Sequence, residues 1–282
     1  MKNVSKKTAL AAVAIATMSV CNFAHADLIV TQNDSGSDLV TNILGTGIST
    51  SNIVNTGASA AFGTFTGGIS AGLGFDSGIM LSSGSVVDAV GPNQQDNVTT
   101  EFGTAGDADL DAIVGATTED AAVLTFDFIS DGGDLFFNYI FASDEYNEWV
   151  DSTFNDVFAF FLDGVNIALI PGTDTAVAIN TVNGGSNAGF FNNNDLQDGG
   201  PFFNIEYDGF TDMFTATATG LSAGQHTISM RIADTSDAEW DSTVFIQAGS
   251  FSDTDPTGVP EPSTLFIFGL GLLGLGCRKI KA

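Results

Sequence analysis

Two groups of acidic residues, one in the middle and one late in the chain, have the composition of a metal site. These residues are Asp144, Glu145 and Asp156, and then Asp234, Asp237 and Asp241. Each group lies just before an apolar segment. Calcium takes about six to eight oxygen ligands in flexible geometry, mostly from Asp, Glu, Asn and backbone carbonyls of loops. The sequence therefore predicts a Ca²⁺ site that the two groups share if their strands are adjacent. The alternative is a pair of solvated acidic loops that start strands.

The charge balance of the chain also favours a bound cation. The 282 residues include 34 acids and 7 Lys or Arg, for a net charge of −27. Six of the seven bases lie at the ends, so Arg231 alone faces 33 acids, all but Glu261, between Asp27 and Pro260. One arginine cannot form salt bridges with all of the clustered acids. So acidic a surface also excludes nucleic acid as a partner, because phosphates are neutralised by Lys and Arg.

The same acids allow a second chemistry. Two carboxylate pairs lie near the two Trp residues; they are Asp144 with Glu145 near Trp149, and Asp237 with Glu239 beside Trp240. Paired carboxylates can hydrolyse a glycosidic bond. The alternative function is therefore a secreted carbohydrate-active enzyme. Two further interpretations stay open: carbohydrate binding without catalysis, or Trp side chains that pack under their own loops.

Other common metal and catalytic motifs are not supported. The run Asp107–Asp111 has acids at alternate positions like an EF-hand loop, but Ala112 replaces the Gly of the turn and Thr118 replaces the final Glu. Those acids are expected to cap a short helix or to face water. His226 is the one His after residue 26, and it directly precedes the predicted strand Thr227–Ile232, where a lone His usually has a structural role. We therefore expect a structural His, no zinc site, no catalytic residues and no enzyme.

The elements that would position these residues are strands. Turn-forming residues interrupt the chain every eight to twelve residues or so, the spacing of a sandwich or barrel. The predicted strands are Val123–Phe128, Leu135–Phe141, Val157–Leu162, Ala176–Asn180, Met213–Ala218, Thr227–Ile232 and Val244–Gln247. The first alternates apolar and polar residues, as a half-buried strand does, and the next two are continuous enough to be covered on both faces.

The resulting fold prediction is all-β: a single, jelly-roll-like β-sandwich with long acidic loops. Hydrophobic residues make up 44% of the chain, and its 24 Phe are assigned mainly to the core. A short helix is expected at Asp109–Val114. Asn183–Gly200 is rich in Gly and Asn and is predicted to be a long surface loop, where binding function is often located.

A short internal repeat links the two acidic groups. The sequence Glu148–Phe154 recurs as Glu239–Phe245 with its Val at the sixth position instead of the third, and each copy contains one Trp. Each follows an acidic cluster and leads into an apolar segment. The repeat predicts two similar acidic loops that enter neighbouring strands.

The first 26 residues have the three parts of a secretory signal peptide. These are the basic Lys2, Lys6 and Lys7, the apolar Thr8–Val20, and a cleavage site with small residues at Ala24 and Ala26. We expect an N-terminal signal helix, export through the general secretory translocon and cleavage after Ala26. A buried N-terminal helix is the alternative.

Residues 259–282 form a second tripartite signal. Its parts are Pro260, Glu261 and Pro262, the apolar run Leu265–Gly276, and the basic Arg278, Lys279 and Lys281. The run is shorter than the roughly 20 residues that cross a bilayer comfortably, and its basic end is expected on the cytoplasmic side. We expect a short hydrophobic helix that holds the chain in the membrane temporarily. The tail resembles the PEP-CTERM sorting signal, which implies recognition and cleavage by an exosortase; an uncleaved tail anchor is the alternative.

The body resembles the choice-of-anchor L domain. The central similarity is Phe141–Tyr146 followed by Phe154–Leu162. Further similar segments, in the same order as in that family, are Gly78–Gly84, Asp208–Thr211, Ile232–Asp234, Asp241–Phe245 and Gly249–Phe251. The resemblance implies an envelope or extracellular module joined to a surface-anchoring tail. It implies no particular activity.

These features divide the chain into four parts: a signal peptide at 1–26, a β domain at 27–251, a linker at 252–258 and a sorting signal at 259–282. We expect an exported binding or structural protein of the cell surface or extracellular matrix, related to adhesion or biofilm and stabilised by Ca²⁺. Its expected partners are the translocon, an exosortase and an extracellular polysaccharide. Membrane contact is expected only through the C-terminal segment.

Overall fold

The computed structural model describes residues 27–256. The predicted signal helix with Ala24 and Ala26 lies outside this range. So do the predicted C-terminal hydrophobic helix and the sorting residues 260–262, 278 and 279. Across residues 27–256, no helix is both long enough and apolar enough to span a membrane.

The described chain is built mainly from antiparallel strands. The strands are β1 (Ile29–Gln32), β2 (Ile48–Thr56), β3 (Phe62–Thr66), β4 (Ser77–Ser82), β5 (Thr118–Ser130), β6 (Leu135–Ser143), β7 (Val157–Leu162), β8 (Val165–Asn166), β9 (Phe191–Asn193), β10 (Gly209–Thr211), β11 (Phe214–Ala218), β12 (His226–Thr235) and β13 (Ser242–Gln247). The α-helices are α1 (Gly36–Ile43), α2 (Gly68–Ala71) and α3 (Ala108–Val114), and 3₁₀ turns lie at Ser59–Ala61, Val86–Ala89 and Ala188–Phe190.

The strands form two sheets that pack face to face. One has eight strands in the order β1-β3-β4-β13-β6-β10-β9, with β11 also paired to β6. The other has five strands in the order β2-β5-β12-β7-β8. All strand pairs are antiparallel. The predicted all-β sandwich is confirmed.

Phenylalanine fills the space between the sheets. Phe126, Phe137 and Phe160 are fully buried there, and the rings of Phe137 and Phe160 lie 4.9 Å apart at 68°. Phe251 follows the last strand, and its ring lies 5.2 Å from Phe126 and 5.4 Å from Phe128 and from Phe137. Aromatic pairs in such edge-to-face contacts stabilise a core beyond the burial of their area.

The eight-stranded sheet is buried on both faces because loops cover its outer side. Side chains alternate along β4: Leu81 faces the central core, whereas Met80 faces an outer cluster with Phe65, Phe75 and Phe245. Helix α3 covers part of the five-stranded sheet in the same way through Leu110. The prediction that β6 and β7 are covered on both faces is confirmed by their nearly continuous burial.

Most predicted elements are present, and one is not. The segment Ala176–Asn180 is not a strand: the Thr181 hydroxyl accepts from the Ala178 amide at 2.8 Å and donates to the Ala176 carbonyl at 2.8 Å. Because the Thr181 side chain forms hydrogen bonds with these backbone groups, only isolated β-bridges remain in this segment. The short helix at Asp109–Val114 is confirmed.

Two further differences concern helix and loop. Helix α1 was not predicted, although its buried Leu39, Val40 and Ile43 share one face. The segment Asn183–Gly200 is largely loop as predicted, but it contains β9. Asn194 and Asp195 in this loop are also buried rather than on the surface.

The predicted relation between the two Trp-containing loops is wrong in one respect. The first leads into β7 and the second into β13, and these strands belong to different sheets rather than being neighbours. The loops nevertheless meet at one end of the sandwich, because the Trp149 and Trp240 rings contact each other with centroids 5.6 Å apart.

Candidate metal centre

Strand pairing in the eight-stranded sheet places two of the predicted ligands side by side. Ser143 at the end of β6 pairs with Ser242 at the start of β13. Asp144 and Asp241 are therefore adjacent just beyond the two strands, and the Asp144 amide donates to the Asp241 carbonyl at 3.2 Å. Asp208 precedes β10 and lies on the other side of Asp144, since Gly209 also pairs with Ser143.

The five-stranded sheet contributes a second pair at the same end of the sandwich. Ala233 of β12 pairs with Val157 of β7, so the next residue along β12, Asp234, lies beside Asp156. Oδ2 of Asp156 accepts a hydrogen bond of 2.7 Å from the hydroxyl of Ser242, which belongs to the opposite sheet. This contact joins the ends of the two sheets.

Five carboxylates are buried where the sheets meet, and we call them the inner acidic cluster. Its members are Asp144, Glu145, Asp156, Asp234 and Asp241, each 1–2% exposed. Both oxygens of Asp144, both oxygens of Asp234 and Oε2 of Glu145 are buried without a hydrogen bond of ordinary geometry to the described residues. The sixth predicted ligand, Asp237, is partly exposed on the turn between β12 and β13.

The polar groups that contact the inner acidic cluster are neutral. The Thr100 amide donates to Oδ2 of Asp241 at 2.9 Å, and the Thr99 hydroxyl donates to its Oδ1 at 3.3 Å. The Thr235 amide donates to Oδ1 of Asp156 at 2.8 Å. Among residues 27–256, the salt bridges of Arg231 and His226 involve other acids, Asp107, Asp109 and Asp163.

The electrostatics of the cluster follow from burial and from repulsion between like charges. Burial raises the pKa of all five carboxylates, to about 7 for Asp241. The charges of Asp208 and Asp241 raise the pKa of Asp144 further. The Asp208 amide and the Ser83 hydroxyl lower the pKa values of Asp144 and Asp234, respectively, but only as smaller effects.

A more compact arrangement of acids lies next to this cluster. Among residues 27–256, one set of three carboxylates places an oxygen from each within 4.8 Å of the others; these are Asp96, Asp195 and Asp208. None of the three was predicted as a ligand. Asp195 lies in the predicted Asn-rich loop, and this position was the one sequence feature that pointed to Asp195 as a binding residue.

Of the two carboxylate pairs considered for glycoside hydrolysis, one is buried, whereas Asp237 is partly exposed and Glu239 is exposed. Asp144 and Glu145 are 1–2% exposed. Trp149 packs against Phe154 at 4.9 Å as well as against Trp240, so their ring faces are partly occupied by each other and by Phe154. This arrangement gives no specific support to a carbohydrate-active enzyme.

The acids of the EF-hand-like run have a structural role. The side chain of Asp107 caps α3 by accepting hydrogen bonds from the amides of Asp109 and Leu110 at 3.0 and 3.1 Å. His226 begins β12, where Nδ1 contacts Asp163 at 2.6 Å and Nε2 contacts the Ser222 carbonyl at 2.9 Å. Both ring nitrogens are therefore engaged in local structure.

Comparison with known families gives the class of the protein. Residues 28–252 match the choice-of-anchor L domain, so the chain belongs to the choice-of-anchor L family. Residues 258–281 match the PEP-CTERM protein-sorting motif, which implies an exported, surface-sorted protein that an exosortase processes. Both resemblances found in the sequence are thus confirmed. The matched families are sorting and anchoring domains rather than enzyme families. Comparisons with curated proteins and with solved structures found no match.

Proposed function

We propose that this domain is a binding or structural protein of the cell surface or extracellular matrix, that it takes part in adhesion or biofilm material, and that bound Ca²⁺ stabilises it. One observation carries the proposal: the inner acidic cluster holds five buried carboxylates without a positively charged partner among the described residues. The sorting motif supports the cell-surface location.

A cation from solution is the simplest source of counter-charge for the cluster. An ionised carboxylate that is buried without a partner of opposite charge destabilises a fold by several kcal/mol. The neutral donors from Thr99, Thr100 and Thr235 satisfy single oxygens but leave the net charge unchanged. The free oxygens of Asp144 and Asp234 would be the first ligands, with Glu145 as a third.

The donor set favours Ca²⁺ over other common cations. Carboxylate oxygens bind hard cations, whereas zinc sites use Cys and His, and residues 27–256 contain no Cys and only His226. Mg²⁺ requires near-ideal octahedral geometry and keeps several waters, whereas Ca²⁺ accepts irregular sets of protein oxygens. Irregular oxygens contributed by two sheets therefore suit Ca²⁺.

Thermal unfolding tests the Ca²⁺ proposal. The full chain, purified in mild detergent, is melted with excess Ca²⁺, with excess Mg²⁺ and with a chelator. Ligand at 100 to 1,000 times its Kd stabilises by about 3–4 kcal/mol, which corresponds to a Tm increase of roughly 6–15 °C for a domain of this size. We expect that increase with Ca²⁺ and a smaller one with Mg²⁺. Equal Tm values in Ca²⁺ and chelator would refute Ca²⁺ stabilisation.

A shallow cavity supports polysaccharide as the partner. It has a volume of about 300 Å³ and lies beside the Asn-rich loop, and its lining includes Asn147, Asn193, Phe191 and Asp198. Amide and carboxylate groups can hydrogen-bond to sugar hydroxyls, and an aromatic side chain adds apolar contact. The lining therefore has the chemistry of a neutral or amine-bearing sugar site, since its Asp198 would repel acidic sugars.

A binding screen against extracellular polysaccharides tests this part of the proposal. For a polysaccharide that binds, Asp198→Ala should weaken binding roughly tenfold, because a hydrogen bond to a charged group contributes about 1.5 kcal/mol or more. Asp174→Ala is the matched control, since Asp174 is also exposed but does not line the cavity. Failure of every polysaccharide to bind would exclude this partner while leaving the Ca²⁺ result intact.

The sorting signal offers a separate test of location. We expect replacement of Pro260, Glu261 and Pro262 by Ala to keep the uncleaved chain in the inner membrane. Cell fractionation and the mass of the recovered protein measure this outcome. Release of the altered chain with the same mass as the wild type would contradict exosortase processing at this motif.

A further inference from the structure

Three acids from two loops converge beside the inner acidic cluster, and we call Asp96, Asp195 and Asp208 the outer acidic cluster. One oxygen from each lies within 4.8 Å of the others. Asp96 lies in the loop after the 3₁₀ turn Val86–Ala89, Asp195 follows β9, and Asp208 precedes β10. None of them belongs to the site proposed above.

Two oxygens of the outer acidic cluster are buried without a partner. Asp208 is 0% exposed, and its Oδ2 has no hydrogen bond to the described residues, whereas its Oδ1 accepts from Nδ2 of Asn93. Oδ1 of Asp96 is likewise buried and unpartnered, whereas its Oδ2 accepts from Nε2 of Gln197 at 3.1 Å. Asp96 and Asp208 thus each keep one oxygen free, whereas Oδ1 of Asp195 accepts from the Gln197 amide at 2.6 Å. A buried free oxygen is destabilising unless a ligand contacts it.

The backbone around the cluster is held rigidly by Asn194, which is fully buried. Its Oδ1 accepts from the amides of Phe202 and Phe203 at 2.7 and 2.8 Å. Its Nδ2 donates to the carbonyls of Ile205 and Tyr207 at 3.1 and 2.9 Å. All of the side-chain hydrogen bonds of Asn194 are therefore used to fix the loop between β9 and β10, which places Asp195 and Asp208 together.

The remaining neighbours of the cluster are neutral or acidic. Nδ2 of Asn147 lies 3.3 Å from Oδ2 of Asp195 and 3.2 Å from Oδ2 of Asp198. Gln197 connects Asp96 to Glu148 through its Nε2, which donates to Oε1 of Glu148 at 2.8 Å. These amides orient the carboxylates but contribute no positive charge, so the three acids lack a counter-ion within the described chain.

The geometry points to a second Ca²⁺ site, separate from the inner acidic cluster and independent of the function proposed for it. We propose that Asp96, Asp195 and Asp208 bind one Ca²⁺ ion that joins three chain segments at this end of the sandwich. One oxygen from each acid lies within 4.8 Å of the others, close enough for all three to contact one cation. Ca²⁺ accepts irregular sets of protein oxygens, whereas Mg²⁺ requires near-ideal octahedral geometry, so carboxylates from separate loops favour Ca²⁺.

Equilibrium dialysis with radioactive Ca²⁺ tests the proposal on the full chain in mild detergent. Asp96→Asn and Asp195→Asn should each lose one equivalent of bound Ca²⁺, or weaken that equivalent at least about tenfold. Asp174→Asn is the matched control, because this exposed acid lies outside both acidic clusters. It should bind as many Ca²⁺ ions as the wild type.

Asp234→Asn separates the two sites, since it should remove the inner equivalent and retain the outer one. If Asp195→Asn fails to fold by circular dichroism, Asp96→Asn decides, because Asp96 lies on a partly exposed loop. Unchanged stoichiometry and affinity in Asp96→Asn would overturn the outer site even if Ca²⁺ still binds at the inner cluster. Loss of only the outer equivalent in Asp96→Asn, with none lost in Asp234→Asn, would support the outer site alone.

Discussion

Two acidic regions of this molecule differ in whether a cationic side chain balances their negative charge. Beside α3, Nη1 of Arg231 donates to both oxygens of Asp107 at 2.8 Å and also pairs with Asp109. The guanidinium lies 5.1 Å from the ring centroid of Phe161, where a cation–π contact holds it in place. At the end of the sandwich, the inner acidic cluster has five carboxylates and only neutral donors.

The two regions differ in whether the described residues balance their charge. The Arg231 region contains its own cation, so we expect its stability to be independent of added cations. The inner acidic cluster has no cationic partner among the described residues, and in the function proposed above Ca²⁺ would supply it. If this comparison holds, charge-removing substitutions in the two regions should respond differently to Ca²⁺.

The largest expected effect comes from Asp234→Asn in the inner acidic cluster. With Ca²⁺ present, we expect the variant to lose most of the roughly 3–4 kcal/mol that saturating ligand contributes, and its Tm to fall by about 6–15 °C. With chelator present, we expect the variant to melt above the wild type, because Asn removes a buried carboxyl group whose ionised form has no counter-charge. Thermal melts in both conditions measure this reversal of sign.

Asp174→Asn is the control for that experiment, because Asp174 is exposed and outside both acidic clusters. It should melt like the wild type with and without Ca²⁺. An Asp234→Asn variant that is equally destabilised in Ca²⁺ and in chelator would contradict the comparison, since the cluster would then behave like the self-contained Arg231 region.

A smaller effect is expected from Arg231→Met. Loss of the partly buried ion pairs should destabilise the domain by about 1–3 kcal/mol, because the Asp107 side chain is only 14% exposed and loses its cationic partner. The loss should be the same in Ca²⁺ and in chelator, as measured by urea unfolding. Arg231→Lys should recover only part of the stability, since Lys lacks the planar fork that contacts two carboxylates. A loss confined to one of the two conditions would show that Arg231 is coupled to the Ca²⁺ sites.

The smallest expected effect is a pH dependence at His226, the other cationic group that the described chain can provide. Hydrogen bonds to Asp163 and to the Ser222 carbonyl raise the pKa of His226. For Asp163, burial raises the pKa, but the hydrogen bonds from His226 and Thr227 outweigh burial and lower it overall. A raised His pKa contributes stability below about 6.5 that is lost as pH rises through the folded value, and a lowered Asp pKa contributes stability above about 3.9.

The pair should therefore stabilise most between roughly pH 4 and pH 6.5. His226→Gln should cost less than about 1 kcal/mol in that window, because half-exposed Asp163 is screened by water. The difference between variant and wild type, measured by urea unfolding across pH, should shrink as pH rises above the His pKa. A difference that is constant across pH would show that His226 acts through packing on Phe128 alone.

Local sequence patterns were sufficient for much of the fold. The strand predicted at Val157–Leu162 has those bounds in the structure. Four of the acids predicted to share an ion lie at one end of the sandwich; they are Asp144, Asp156, Asp234 and Asp241. Ala176–Asn180 has the composition of a strand, but the hydroxyl of Thr181 hydrogen-bonds to its backbone in place of a neighbouring strand. Composition alone does not reveal this competition.

The outer acidic cluster could not be predicted, because its members come from three segments that no periodicity connects. Asp208 lies beside Asp144 only because β10 pairs with β6, and Asp195 joins it only because β9 pairs with β10. The residues around Asn194 have an ordinary loop composition, so the sequence does not indicate its role. The structure shows that role, because Asn194 forms four hydrogen bonds to the chain from Phe202 to Tyr207.

The sequence by itself determined the class of the protein and the deficit of positive charge between residues 27 and 256. It did so because sorting signals, strand periodicity and charge are local or additive properties. Tertiary structure alone decided which acids share a site and which keep a partner, since that depends on the order of strands in each sheet. Period-two alternation determines which face of a strand is buried but not which strand lies beside it. The sequence therefore predicted the excess of negative charge, and the pairing of β6 with β13 and β10 decided which acids lie side by side.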